Sequence, residues 1–259
     1  MEDISYVILA LAAFGAGFVD SIVGGGGFVQ LPALLIVLPQ MPVMSLLGTN
    51  KLVSFSGTFV AMIRYSKHVK FNLKTLIPCG VFAFIFSFLG SYLVTLIPNN
   101  FLRPLIMVAL IFMFLYSVRQ RHFGMEGREE QHKENLILSI LIGTFIGFYD
   151  GFIGPGTGSF LIIAFVSLYQ LTFVQASAYS KVINLTTNLA SIILFVSKGA
   201  FLWKLAIPMA FMNILGSLLG VRLALLKGNN FVRILFRVVV LLTILRFGYD
   251  VLHKDLGWL

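Results

Sequence analysis

Two aspartates and two lysines stand inside apolar runs of this 259-residue chain, and each pair is 130 residues apart: Asp20 with Asp150, Lys51 with Lys181. A charged side chain at membrane depth costs about 2.5–3.5 kcal/mol on insertion scales, so one that persists there marks a functional candidate. Each aspartate is followed by a glycine-rich stretch, Gly24, Gly25, Gly26 and Gly27 in the first case and Gly154-Pro155-Gly156-Thr157-Gly158 in the second. Such turns break a helix and present free N–H groups, with the positive end of the next helix dipole, to whatever lies beside them. Lys51 and Lys181 add full positive charge, and Asn50, Asn184 and Asn188 add hydrogen-bond donors. Together these types point to the handling of an anion. Asp20 and Asp150 then serve to balance the lysines in the empty state or to carry protons. Blander roles remain open: glycines that pack helices, aspartates that cap broken helices, and lysines that snorkel to an interface.

The elements that must position these residues are membrane helices. The chain is 58% hydrophobic and 11% charged, against about 25% charged in a soluble domain. Its net charge of +9 reads as basic loops that orient a membrane protein, so nucleic acid is not an expected partner. Cys79 is the single cysteine, which excludes an intrachain disulfide and a cysteine-based metal cluster; no metal or cofactor is implied. Glu2 and Asp3 replace the basic start of a cleavable signal peptide.

Apolar segments cover 4–18 (marginal for a full span), 28–38, 43–65, 76–97 and 105–118, then a run into Asp150, 160–169, 173–196, 203–226 and 231–252. The 130-residue offset also superposes Lys74 on Lys204, Pro78 on Pro208, Gly90 on Gly220, and Asn99-Asn100-Phe101-Leu102-Arg103 on Asn229-Asn230-Phe231-Val232-Arg233. The expected fold is therefore an all-α, polytopic integral membrane protein of two internal repeats. Each has about four hydrophobic segments with a Gly-rich broken or re-entrant helix. Repeat 1 covers 1–118, a hydrophilic linker 119–134, and repeat 2 135–259. Basic loops at 64–74 and 119–134 share one side, expected to be cytoplasmic. Three crossings per repeat make the repeats inverted and four make them parallel; charge counting leaves both open.

These motifs closely resemble the TauE/SafE family, and its YfcA-like branch in particular. The matching stretches are Gly17-Phe18-Val19-Asp20-Ser21-Ile22-Val23-Gly24-Gly25-Gly26-Gly27, Gly48-Thr49-Asn50-Lys51, the Gly147–Phe160 stretch, and Ser180-Lys181-Val182-Ile183-Asn184 with Thr187-Asn188. The resemblance implies a bacterial inner-membrane permease for small sulfur-containing anions such as sulfite, sulfoacetate or other sulfonates, usually drawn as an exporter. It places Asp20, Gly24 to Gly27, Asn50, Lys51, Asp150, Gly154, Pro155, Gly156, Lys181, Asn184 and Asn188 on motif positions. The expected function is a secondary transporter working by alternating access, with a small anion and the lipid bilayer as partners and a homodimer open as its assembly. No Gly-x-x-x-x-Gly-Lys-Ser/Thr motif suggests nucleotide drive. The rivals are a passive anion channel and an intramembrane hydrolase in which Asp20 and Asp150 share a proton. Against the hydrolase, each aspartate is expected to find a lysine within its own repeat.

Overall fold

The computed structural model describes residues 2–98, 101–102, 105–106, 108 and 135–254, with side chains from Ile4 and, past Gly228, only those of Phe231 and Ile234. The described residues form helices and turns and no strand: α1 (Glu2–Val23), α2 (Gly27–Val37), α3 (Val43–Ser66), α4 (Leu73–Leu96), α5 (Leu136–Phe152), α6 (Thr157–Tyr169), α7 (Phe173–Ser197) and α8 (Trp203–Lys254). Five of these are long and apolar enough to cross a membrane: α1, α3, α4, α7 and the Trp203–Gly228 part of α8. Local signals start several of them. The side chains of Asn72 and Asn135 accept first-turn N–H groups of α4 and α5, and Thr172 with Gln175 forms a capping box on α7.

One expectation changes. The first apolar segment does not stop near Phe18; α1 runs through Asp20 to Val23 and is long enough to span. The two spans expected at 203–226 and 231–252 are present as two helical stretches of α8 that meet in a kink at Gly228, whose φ of 67° and ψ of −162° leave the helical region. The linker 119–134, most of the 105–118 segment, Asn99, Asn100 and Arg103, and the side chains of Asn229, Asn230 and Arg233 lie outside the described residues.

Both glycine breaks turn the chain back on itself. At the second break the return is tied by side chains: the Tyr169 hydroxyl, ending α6, meets the Ser139 hydroxyl near the start of α5 at 2.6 Å and donates to Asn135 O at 3.0 Å. At the first, Gly26 lies against Ala16 and Asp20 of α1, and Leu34 of α2 shares an apolar cluster with Leu9 and Ala13. Each hairpin then docks on a long helix of the other half. Gly143, Gly147 and Gly151 of α5 lie on the backbone of Cys79, Ala83 and Ser87 of α4. Gly17 of α1 lies on Asn213 of α8, and Gly216 and Gly220 of α8 lie on Phe14 and Phe18 of α1. Contacts that advance in step along both chains make each pair parallel, and small residues let the backbones approach closely. α6 brings the chain back to the start of α5, so α7 sets out in the direction of α5. α8 returns beside α7 and α1 follows α8, so α1 and α5 run in opposite directions. The two hairpins enter from opposite ends and meet at their tips.

Candidate functional site

At the junction, Ser159 in the first turn of α6 donates its N–H to Gly24 O (3.2 Å) and its hydroxyl to Val23 O (2.8 Å). Gly24 has φ +74° and faces the Gly158 backbone, so a side chain at either position would overlap the other. The C-terminal ends of α1 and α5 and the N-terminal ends of α2 and α6 thus converge. The first two carry the negative end of the helix dipole and the last two the positive end.

A lysine answers each C-terminal end. Lys51 on α3 donates to Asp150 O at 2.6 Å, and its Nζ lies 2.7 Å from Asp150 Oδ2. Lys181 on α7 donates to Asp20 O and, at 2.8 Å, to Asp20 Oδ2. The expectation of a partner within each repeat is overturned: the pairs cross, because each hairpin tip is seated against the long helices of the other half. The two pairs differ in their surroundings. Lys51 and Asp150 are both about 4% exposed in their side chains, and Asp150 Oδ2 has no polar partner besides the Lys51 ammonium. Lys181 is fully buried while Asp20 is 19% exposed, with the Thr58 hydroxyl 3.4 Å from its Oδ2.

Beside the pairs is a cavity of about 30 Å³, room for about two waters. The first hairpin contributes Asp20, Gly24 and Gly27 to its wall, and the second contributes Asp150, Gly154, Gly156, Thr157 and Gly158. Asn50, Lys51, Ser54 and Thr58 face it from α3, and Asn184 and Asn188 from α7. Four expected site residues stand behind this wall. Gly26 packs on α1, and the Gly25 carbonyl accepts the Phe28 N–H. Pro155 lies against Gly27 and its carbonyl accepts the Tyr149 hydroxyl at 2.7 Å, and Lys181 sits behind Asp20.

The family profile described as Sulfite exporter TauE/SafE matches residues 9–247. The chain belongs to the TauE/SafE family. It is 34% identical to "Probable membrane transporter protein ORF9" of Sinorhizobium sp, over 100% of this chain and 99% of that one. It is 35% identical to a "Probable membrane transporter protein" of Haemophilus influenzae, over 94% of each, and 32% identical to "Probable membrane transporter protein YfcA" of Escherichia coli K12, over 97% of this chain and 93% of that one. No solved structure matches. This TauE/SafE chain is accordingly a multi-pass membrane transporter.

Three residues of the cavity wall were not among the substrate contacts expected from sequence: Ser54, Thr58 and Gly158, the last named only as the end of the second glycine turn. The first two carried a usable signal, since Asn50, Ser54 and Thr58 are four apart and so share one helix face. Gly158 is explained only by contact. A Cβ there would stand 2.9 Å from the Asn184 amide nitrogen as well as on Gly24.

Proposed function

We propose that this chain is a secondary transporter that exports small sulfur-containing anions, such as sulfite, sulfoacetate or other organosulfonates, across the bacterial inner membrane by alternating access. We take it to be built of two repeats, 1–118 and 135–259, joined by the hydrophilic linker 119–134. The observation that carries this reading is the cavity between the hairpin tips, lined by glycine backbone and amide donors and flanked by two lysine–aspartate pairs of zero net charge. An arriving anion makes one carboxylate surplus. Moving that carboxylate off its lysine, or protonating it, restores neutrality and leaves the ammonium for the substrate. The small size of the cavity favours a carrier over a passive pore. A sulfonate, with a sulfur and three oxygens, exceeds the space of two waters, so loading needs the walls to part. Asp20 and Asp150 each engage a lysine rather than one another, which disfavours a shared-proton hydrolase.

The test is purified protein in liposomes loaded with sulfite, sulfoacetate or another sulfonate under imposed ion gradients. Saturable flux that follows the gradient is expected. Flux that rises linearly with concentration would identify a channel, and a cleaved product would identify the hydrolase.

A further inference from the structure

Behind the cavity wall lie two buried amides, Gln30 on α2 and Asn213 on α8. Asn213 donates from Nδ2 to Ala13 O on α1 (3.0 Å) and to Gln30 Oε1 (3.1 Å). Gln30 in turn donates from Nε2 to Asn50 O (3.2 Å) and to Asn50 Oδ1 (2.9 Å). The direction of this chain is set at both ends by backbone carbonyls, which only accept. Ala13 O fixes the nitrogen end of Asn213, and Asn50 O fixes the nitrogen end of Gln30. The Asn50 side-chain oxygen is therefore occupied, and its NH₂ is the end left to face the cavity.

The fold makes specific room for this arrangement. A Cβ at Gly57 of α3 would collide with the Asn213 amide oxygen, and one at Gly17 of α1 with its backbone carbonyl. The arrangement exists on one side of the cavity only. Shifted by 130 residues, the places of Gln30 and Asn50 are taken by Phe160 and Ser180, and that of Asn213 corresponds to Ala83. The Ser180 hydroxyl is itself committed to Ser177 O at 2.8 Å.

We propose that Asn213 and Gln30 are positioning residues that hold Asn50 as an obligate hydrogen-bond donor. The site thereby selects a substrate that presents a lone pair at that point, the oxygen of an ionised oxyanion, over one that presents N–H or O–H there. This rests on the anion-transporter reading above and specifies which side of the site grips the oxygen.

The test uses the full chain in liposomes with sulfoacetate as the probe. Gln30→Met keeps the length and removes both donated bonds, so the Asn50 amide is free to turn. Losing one donor to a charged group should raise the half-saturation concentration about tenfold or more, with the maximal rate within about twofold. In an Asn50→Ala background the same substitution should add nothing, because Gln30 acts only through Asn50. Factors that multiply independently, or an unchanged half-saturation in Gln30→Met alone, overturn the proposal. A substrate-free arm separates this from the function itself: Tm losses of Gln30→Met and Asn213→Leu should overlap in the double variant. Simple addition overturns the relay. If Asn213→Leu does not accumulate, Asn213→Ala takes its place. Overlapping Tm losses in a protein whose wild type carries none of sulfite, sulfoacetate and the other sulfonates would support the relay and overturn the anion reading.

Discussion

Lys51→Met is expected to lose about 3–5 kcal/mol of stability, because removing one member of a buried pair strands the other. The stranded group is Asp150, 4% exposed and with an Oδ2 that has no polar partner besides the Lys51 ammonium. Asp150→Asn in the same chain should restore most of the loss, and Asp20→Asn should not. Yield of monodisperse protein and Tm in detergent read both outcomes. The mirror variant, Lys181→Met, should lose less, since Asp20 is 19% exposed and keeps the Thr58 hydroxyl nearby; its rescue is Asp20→Asn. Rescue by the aspartate of the lysine's own half would sink the crossed pairing. The rescued Lys51→Met/Asp150→Asn protein then separates two roles for Lys51. A steeply raised half-saturation concentration in a well-folded protein means that the ammonium contacts the anion. Normal transport would leave it as a counter-ion.

Gly24→Ala is expected to abolish folding, with a loss beyond about 4 kcal/mol, a size confined to a few mechanisms. Two of them combine here: a positive φ of 74°, and a Cβ placed on the Gly158 backbone of the opposite hairpin. Gly199→Ala isolates the first. Gly199 has φ +63° but nothing within 4 Å of a Cβ, so it should lose only the left-handed penalty of about 1–2 kcal/mol. Equal Tm values for the two variants would show that the tips do not press on one another.

Much of the site was legible because charge and periodicity are local properties. Asp20, Lys51 and their counterparts stood out as ionised groups in apolar runs. The four-residue step from Asn184 to Asn188 placed both on one wall, where they are found. Partnership was not legible. A constant offset says which residues are equivalent and nothing about which copy each one touches, so the crossing of Lys51 to Asp150 had no sequence signal. The extension of α1 through Asp20 was hidden for the same reason, since its neutralising ammonium lies 161 residues away. Gln30 and Asn213 are a different case. Each is a lone amide in an apolar run, and the rule that flagged the charges, applied to uncharged polar groups, would have flagged these as well.

The crossed lysines also set an order of events during synthesis. Asp20 on α1 is synthesised well before its counter-ion, Lys181, which follows 161 residues later. At about 5–20 residues per second, the interval is roughly 10–30 s. Through that time α1 holds an unneutralised carboxylate near its C-terminal end, and its docking partner α8 does not yet exist. The early hairpin must therefore wait in a watery or protein-lined place, such as the mouth of the insertion machinery, until the second half arrives to close around it.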